Sequence, residues 1–217
     1  FPAVEGLFGC PTVVNNVETL ANLPYILEIG AEEYRKIGPE NSPGPKLFCV
    51  SGHVEKPGVF ELPMGVSLRT LIDEHAGGVW KGRKLKAVIP GGSSAHVLTA
   101  DECDVAMDIE SLAAAGTMLG SAGVIVMDET TCMVDALLNI MRFYHHESCG
   151  QCTPCREGTG WLEKIAHRIA VGGGRMEDLD LVTEVCDRMV GKTICALAET
   201  MGLSAKPLQD SAKKRLI

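Results

Sequence analysis

The sequence predicts an α+β fold, with a small β-sheet in the middle of the chain and helices at its end. Short apolar runs of strand length recur between residues 46 and 128, separated by turns that contain glycine or proline. From residue 130 onwards, apolar side chains recur at the three- and four-residue spacing of amphipathic helices. The 217 residues therefore divide into three predicted parts: residues 1–45, 46–129 and 130–217.

The first part, residues 1–45, is predicted to be a loop, two helices and a linker. Asn15 suits a helix N-cap, and Glu18 stands three residues later, as in a capping box. Pro24 is expected to kink or restart this helix, and a second short helix is expected within residues 30–37. Residues 38–45 are rich in helix breakers and predict the linker. Because the chain starts at Phe1 and enters these signals directly, we expect it to be the C-terminal portion of a longer polypeptide.

The second part, residues 46–129, is predicted to form a small sheet with one helix. Strands are expected at residues 47–52, at 59–62, at 85–89, from about 97, and at 123–127. Ser67 suits the N-cap of the intervening helix, and Gly77 and Gly78 should end it. The longest apolar run, residues 122–127, predicts a buried strand. This order of strand, turn, strand, helix and further strands is typical of a β-grasp module.

The third part, residues 130–217, is predicted to be a helical bundle. Thr131 should cap the first helix, the second should begin near Arg156, and a last helix should follow Cys195. The residues expected to face the core are Val134, Leu137, Leu138, Met141 and Tyr144 in the first helix, Trp161, Leu162, Ile165 and Ile169 in the second, and Leu179, Val182, Cys186, Met189 and Val190 in the third.

Composition excludes several classes of function. The net charge of −8 argues against nucleic-acid binding, as does the lack of a basic, aromatic-interleaved patch. The one basic cluster, residues 213–215, is interpreted as a solvated tail. No apolar run approaches the roughly 20 residues of a membrane span. Nine cysteines without a secretory signal indicate a reducing compartment, where metal binding is expected before disulfides.

Four cysteines are arranged as the ligands of a 4Fe–4S cluster. Cys149, Cys152 and Cys155 lie in the run ESCGQCTPCREG, and Cys195 follows in KTICAL. Such a cluster takes one thiolate per iron, and a C-x2-C-x2-C run brings three thiolates together from one tight loop. Cys155 should lie at the start of a helix, where free backbone N–H groups favour thiolates and sulfides. Arg156 would raise the cluster potential if it points inward, or is a solvated surface residue.

Other interpretations of these cysteines remain open. Structural zinc favours two separated pairs of ligands, although His145 and His146 stand close enough to take part. Disulfides would need an oxidising compartment, and bridges within the cysteine run would be strained. The remaining cysteines are interpreted as structural and mostly buried. These are Cys10, Cys49, Cys103, Cys132 and Cys186.

The runs ESCGQCTPCREGTGW and KTICAL together resemble the flavin- and NADH-binding subunit of respiratory complex I. The same runs resemble the diaphorase subunits of NAD-linked hydrogenases and formate dehydrogenases. GLFGCPTVVNNVETLANLP is similar to the family segment that precedes the β-grasp module. VSGHVEKPG, MGVSLRTLI, PGGSSAHVL and AAGTMLGSAGVIVMD are similar to that module, the soluble-ligand-binding β-grasp domain. The resemblance covers essentially the whole chain.

The resemblance implies an NADH dehydrogenase subunit that passes electrons from NADH-reduced FMN to a 4Fe–4S cluster on Cys149, Cys152, Cys155 and Cys195. The flavin and NADH domain would lie upstream, because no glycine-rich nucleotide loop occurs here. This chain would then supply part of the FMN site. The family's flavin-facing positions correspond to Val14, Asn15, Asn16, Ala196 and Leu197. An ordinary helix cap would explain Asn15 alone equally well.

The implied partners are other iron–sulfur subunits of a multi-subunit oxidoreductase. The implied location is cytoplasmic and peripheral to the inner membrane through those partners, or on the matrix side of mitochondria. After CAL the chain reads AETMGLSAKPLQDSAKKRLI, where many complex I members carry Gly-Asp and an Ala-Trp-Pro stretch. This difference leaves the cluster ligands intact but leaves the family branch open, so a diaphorase subunit of a soluble hydrogenase or formate dehydrogenase remains an alternative. A zinc-stapled scaffold without redox activity is a second alternative, of another class.

Overall fold

The structure, a computed structural model, describes residues 1–202 and has a mixed α/β architecture. The strands are β1 (Pro45–Gly52), β2 (Gly58–Pro63), β3 (Leu85–Ile89), β4 (Leu98–Thr99) and β5 (Gly123–Asp128). The helices are α1 (Val17–Ile29), α2 (Ala31–Tyr34), α3 (Leu68–Thr70, continued by a π turn at Leu71–His75), α4 (Ile109–Ala114), α5 (Met133–Glu147), α6 (Thr153–Ala170) and α7 (Glu177–Met189). Short 3₁₀ turns lie at Leu7–Gly9, Trp80–Gly82 and Ala100–Glu102.

The five strands form one sheet in the order β2-β1-β5-β3-β4. The β1–β5 pair in the middle is parallel, and the other neighbouring pairs are antiparallel. All five expected strands are present, with boundaries shifted by at most two residues. The apolar run at residues 122–127 becomes β5, the central strand, as expected for a strand without polar positions.

Strand β5 contributes to two apolar cores because its side chains alternate between the faces of the sheet. Val124 and Val126 point into a core formed with α3, the π turn and α4. Met127 and the partly buried Ile125 point to the opposite face, where Met133, Ala136 and Ile140 of α5 cover them. The part of the sheet around β3 and β5 is therefore covered on both faces, which explains the continuous apolar sequence of β5.

The helices α5, α6 and α7 share a separate core made of the apolar positions that the sequence predicted, with two exceptions. Trp161 is 51% exposed and Val190 is 39% exposed, so the prediction that they face the core is wrong. Leu162 occupies the inward position beside Trp161, and Val190 lies just beyond the end of α7. Residues 197–202 are again helical, as predicted, and the basic cluster at 213–215 lies outside the described residues.

Helix boundaries differ from the predictions near caps. The side chain of Asn16, not Asn15, caps α1 by accepting from the backbone N–H groups of Glu18 and Thr19. Glu18 does not complete a capping box, because its carboxylate binds Lys46 Nζ and the backbone N–H of Leu47. Helix α1 continues past Pro24, which therefore removes one donor without restarting the helix.

The N-caps of the two helices beside the cysteine run also differ. Helix α5 starts after Cys132 instead of at a Thr131 cap. Helix α6 starts at Thr153, three residues before the predicted position.

A buried carboxylate closes the sheet where β5 ends. Asp128 is fully buried, and its Oδ2 accepts from Trp80 Nε1 at 2.7 Å and Arg83 Nη1 at 2.9 Å. Its Oδ1 accepts from the backbone N–H and the hydroxyl of Thr130, at 2.9 and 2.6 Å. Burial disfavours the charged form, but these donors hold the pKa of Asp128 well below its usual range. The ring of His53 stacks on Trp80 with 4.6 Å between centroids.

Gly52 is predicted to be irreplaceable at the end of β1. Its φ is +86°, and a Cβ atom there would lie 2.3 Å from the carbonyl oxygen of Val126 in the paired strand. We expect Gly52→Ala to lower the unfolding free energy by about 2–4 kcal/mol, because it adds a backbone clash to the strain of a positive φ. Urea unfolding would measure the change.

The matched control is Gly78→Ala. Gly78 has a similar φ of +83°, with open space where its Cβ would stand. This variant should lose only the conformational term, about 1–2 kcal/mol. Equal losses in the two variants would show that the contact with Val126 does not matter.

Among residues 1–202, no helix has the length and apolarity needed to cross a membrane.

Candidate iron–sulfur site

The cysteine loop is a tight connection between two packed helices. Helix α5 ends at Glu147 with Ser148 as its C-cap residue, and helix α6 begins at Thr153 with Cys152 as its N-cap residue. Gly150 has a φ of +79°, a left-handed conformation that allows the chain to reverse direction here. Arg156 Nη1 donates to the carbonyl oxygen of Gly150 at 2.8 Å and so ties the loop to the first turn of α6.

All four predicted ligands line one cavity of about 100 Å³. Cys149, Cys152 and Cys155 come from the loop and the first turn of α6, and Cys195 comes from the segment after α7. Cys155 is buried and Cys152 half-buried, whereas Cys149 and Cys195 are exposed. The cavity therefore has an inner side of protein and an outer side open to solvent or a partner. Its remaining lining residues are Glu147, Ser148, Thr193 and Leu197.

Two hydrogen bonds reach the sulfurs of the inner cysteines. Ser148 Oγ lies 3.3 Å from Cys155 Sγ, and the backbone N–H of Ile194 donates to Cys152 Sγ at 3.4 Å. Cys155 also lies in the first turn of α6, where N–H groups without a helical acceptor favour negative charge. The local polarity therefore suits thiolates on the inner side of the cavity.

Four cysteine sulfurs are the donor set that a 4Fe–4S cubane takes. Within residues 1–202, no three His, Cys, Asp or Glu side chains converge as the ligands of one metal ion do. A tetrahedral zinc site needs four donors around one centre. In a cubane each thiolate binds its own iron, so the sulfurs stand further apart around a shared volume. Four cysteines around one cavity fit the second arrangement.

Arg156, His145 and His146 do not line the cavity. Arg156 is exposed, and its Nε pairs with Glu157 at 2.9 Å, in agreement with the surface interpretation. His145 Nδ1 lies 2.6 Å from Glu163 Oε2 on the exposed surface between α5 and α6. His146 is exposed, and neither histidine lines the cavity.

The proposed flavin contacts lie in two places. Val14 and Asn15 are exposed, and Asn16 caps α1 at the rim of a separate cavity of about 530 Å³. Leu197 lines the cysteine cavity and packs on the helical core, and Ala196 beside it is exposed. Among the described residues, Leu197 is thus the one of these five positions that lines the same cavity as the four cysteines.

The other cysteines are mixed in their exposure. Cys103 and Cys186 are buried, and burial raises the pKa of the Cys103 thiol to about 11, so this thiol is inert near neutral pH. Cys132 is half-buried, as a structural role predicts. Cys10 and Cys49 are exposed, so the expectation of burial is wrong for them. Cys49 is exposed because it faces outward from β1 between the buried Phe48 and Val50.

Sequence reasoning missed the hydrogen-bond donors around the sulfurs. Ser148 directly precedes the cysteine run, and a hydroxyl at that place was a visible signal. The backbone of Ile194 carried no such signal, because any residue supplies an N–H group. Thr193, whose hydroxyl donates to the carbonyl oxygen of Cys195 at 3.0 Å, shapes the fourth-ligand segment.

Two family models match the chain. One is described as the NADH-ubiquinone oxidoreductase-F iron-sulfur binding region and matches residues 135–214. The other is the SLBB domain and matches residues 46–126. The first contains all four cysteines of the cavity, and the second contains most of the sheet.

Curated proteins similar to this chain are F subunits of NADH-quinone oxidoreductase. The NADH-quinone oxidoreductase F subunit numbered 2 in Rhizobium meliloti (strain 1021) is 57% identical over 207 residues, covering 94% of this chain and 49% of that protein. The NADH-quinone oxidoreductase F subunit of Mycobacterium bovis (strain ATCC BAA-935 / AF2122/97) is 50% identical over 213 residues, covering 98% and 47%. The chain thus spans about half the length of these curated relatives.

A solved structure also superposes on the chain. The crystal structure of an NAD⁺-reducing NiFe hydrogenase in the air-oxidized state matches it with a TM-score of 0.87 and 33% identity. The match covers 100% of this chain and 38% of the hydrogenase chain. With the two family models and the 57% identical relative, this places the chain in the family of the NADH-quinone oxidoreductase F subunits.

Proposed function

We propose that this chain is the electron-transfer portion of an NADH dehydrogenase subunit and holds a 4Fe–4S cluster on Cys149, Cys152, Cys155 and Cys195. The observation that carries this proposal is the shared cavity, which brings cysteines from two separated segments together. A cluster of this type supplies one-electron transfer at a potential set by its surroundings. The chain's own residues hold the ligands, exclude water on the inner side and donate hydrogen bonds to sulfur.

The same proposal assigns the parts of the chain. Residues 46–129 form a β-grasp module, supported by the order β2-β1-β5-β3-β4 around a parallel central pair. The helical part that carries the cluster begins at residue 130; of its expected extent, 130–217, residues 203–217 lie outside the described residues. Residues 1–45 are the end of a flavin domain and a linker. The β-grasp module acts as a scaffold or partner-docking surface and not as a catalytic unit.

FMN and NADH would be bound mainly by residues outside this chain, consistent with relatives about twice its length. Val14, Asn15 and Asn16 would contribute to the FMN site, supported by the exposure of all three beside the N-terminus of α1. Ala196 and Leu197 would face the flavin from the cluster side. The partners would be iron–sulfur subunits, which would hold the protein at the inner membrane from the cytoplasmic or matrix side.

Anaerobic reconstitution with iron and sulfide tests the cluster assignment. We expect about four irons per chain and an EPR signal after dithionite reduction, because each cysteine binds one iron of the cubane. Bound zinc in place of iron, with no EPR signal, would overturn the proposal and leave a zinc-stapled scaffold as the better account.

One alternative has support from an observation of its own. A diaphorase subunit of a soluble NAD-linked hydrogenase or formate dehydrogenase would have the same fold, and the match to the hydrogenase structure covers the whole chain. Purification of the native complex separates the two functions. Co-purifying hydrogenase or formate dehydrogenase subunits would select the diaphorase.

A further inference from the structure

Ser148 stands between the end of α5 and the cysteine loop, in contact with an inner ligand. Its Oγ lies 3.3 Å from Cys155 Sγ, within hydrogen-bond distance for sulfur. Cys155 is 6% exposed, so this contact lies on the protein side of the cavity. Of the four cavity cysteines, Cys155 is the least accessible to water. Its sulfur therefore depends on the protein for hydrogen bonds.

The direction of this hydrogen bond follows from chemistry. A cysteine that binds iron is a thiolate and has no proton to donate. The hydroxyl of Ser148 must then be the donor. The backbone N–H of Gly150 approaches the same Oγ at 3.4 Å as a donor, which leaves the hydroxyl proton free for sulfur.

The serine is also held in place. Its backbone N–H donates to the carbonyl oxygen of Tyr144 at 3.1 Å, as the C-cap of α5. Tyr144 is buried in the helical core, and its hydroxyl lies 3.1 Å from Ser93 Oγ of the sheet-containing part. The hydroxyl of Ser148 is thus anchored on a packed helix end.

We propose that Ser148 is a positioning residue that sets the reduction potential of the cluster through its hydrogen bond to Cys155. This inference rests on the cluster assignment proposed above. Reduction adds negative charge to the cluster and its thiolates, so a donor to sulfur stabilises the reduced form more than the oxidised form. Ser148 is partly buried, so water screens its hydrogen bond less than that of an exposed donor.

The test is an EPR-monitored redox titration of the reconstituted chain and three variants. For Ser148→Ala we expect a more negative midpoint. At a fixed solution potential the ratio of oxidised to reduced cluster should rise about tenfold, which corresponds to 59 mV for one electron. Ser148→Thr keeps the hydroxyl and should restore the midpoint towards that of the unmodified chain.

Ser51→Ala is the matched control. It removes a serine hydroxyl that donates to the backbone carbonyl oxygen of Val124 at 3.3 Å, and Ser51 does not line the cysteine cavity. This variant should leave the midpoint unchanged, so an equal shift would overturn the inference by showing a general effect of losing a serine hydroxyl.

The remaining outcomes are also distinct. An unmodified chain without a cluster would refute the proposed function itself. A Ser148→Ala chain with about four irons and an unchanged midpoint would overturn only the role of Ser148. Loss of the cluster in Ser148→Ala, with or without loss in Ser148→Thr, would likewise overturn that role, because it would make the serine a requirement for assembly.

Discussion

Replacing Cys152 with serine is expected to leave the chain without a 4Fe–4S cluster. A serine hydroxyl stays protonated near neutral pH and is a poor iron ligand, whereas the cubane needs a thiolate on each iron. Cys152 is half-buried between the loop and the segment of Ile194. Water therefore has limited access to take the place of the lost thiolate as an iron ligand. Iron should fall from about four per chain to less than about one, with loss of the EPR signal of the reduced cluster.

Cys49→Ser is the matched control for this experiment. Cys49 is an exposed thiol on β1, away from the cavity. The variant loses one thiol of the nine and should keep its iron and its EPR spectrum. A Cys152→Ser chain with unchanged iron and an unchanged spectrum would remove Cys152 from the ligand set.

Asp128→Asn is expected to destabilise the fold although the two side chains have the same shape. Each carboxylate oxygen of Asp128 accepts two hydrogen bonds, from Trp80, Arg83 and Thr130. Whichever way the amide is turned, its NH₂ group faces two donors in a fully buried site. We expect the midpoint of urea unfolding at pH 7 to fall by about 1 M.

The effect should also depend on pH. Because the pKa of Asp128 is lower in the folded state than in the unfolded chain, its charge stabilises the fold fully above the unfolded pKa of about 4. This stabilisation is lost as the pH falls below that value, so the difference between Asp128→Asn and the unmodified chain should shrink there. The exposed Asp73→Asn serves as the control and should change little. A pH-independent difference would contradict the assignment of the effect to ionisation.

The sheet and the helical core could be predicted because their signals are local and periodic. The apolar run of β5 and the inward positions of α5, α6 and α7 follow from strand and helix periods alone. The prediction that Trp161 faces the core was wrong because Trp161 stands at the edge of the apolar stripe of its helix. A large aromatic ring at such an edge can face the core or the solvent, and the packing of its neighbours determines which. The cap shifted from Asn15 to Asn16 because adjacent asparagines carry the same capping chemistry.

The candidate site was predictable in composition but not in arrangement. The spacing of the cysteines indicated a cluster, and the cavity that they line depends on how the segment of Cys195 returns to the loop. The donor from Ile194 arises from that return and has no counterpart in the sequence. Arg156 could have faced either way, and its contacts with Gly150 and Glu157 follow from the loop conformation.

The contact between β5 and α5 has a consequence for the electron transfer proposed above. Helix α5 rests on the sheet through Met133, Ala136 and Ile140, and its 15 residues form a rod about 22 Å long whose far end carries Ser148. Tunnelling rates fall steeply with the distance between redox centres, so electron transfer through the proposed cluster depends more on a fixed distance than on reactive side chains. A partner subunit docked on the sheet would be held at a constant distance from the cysteine loop.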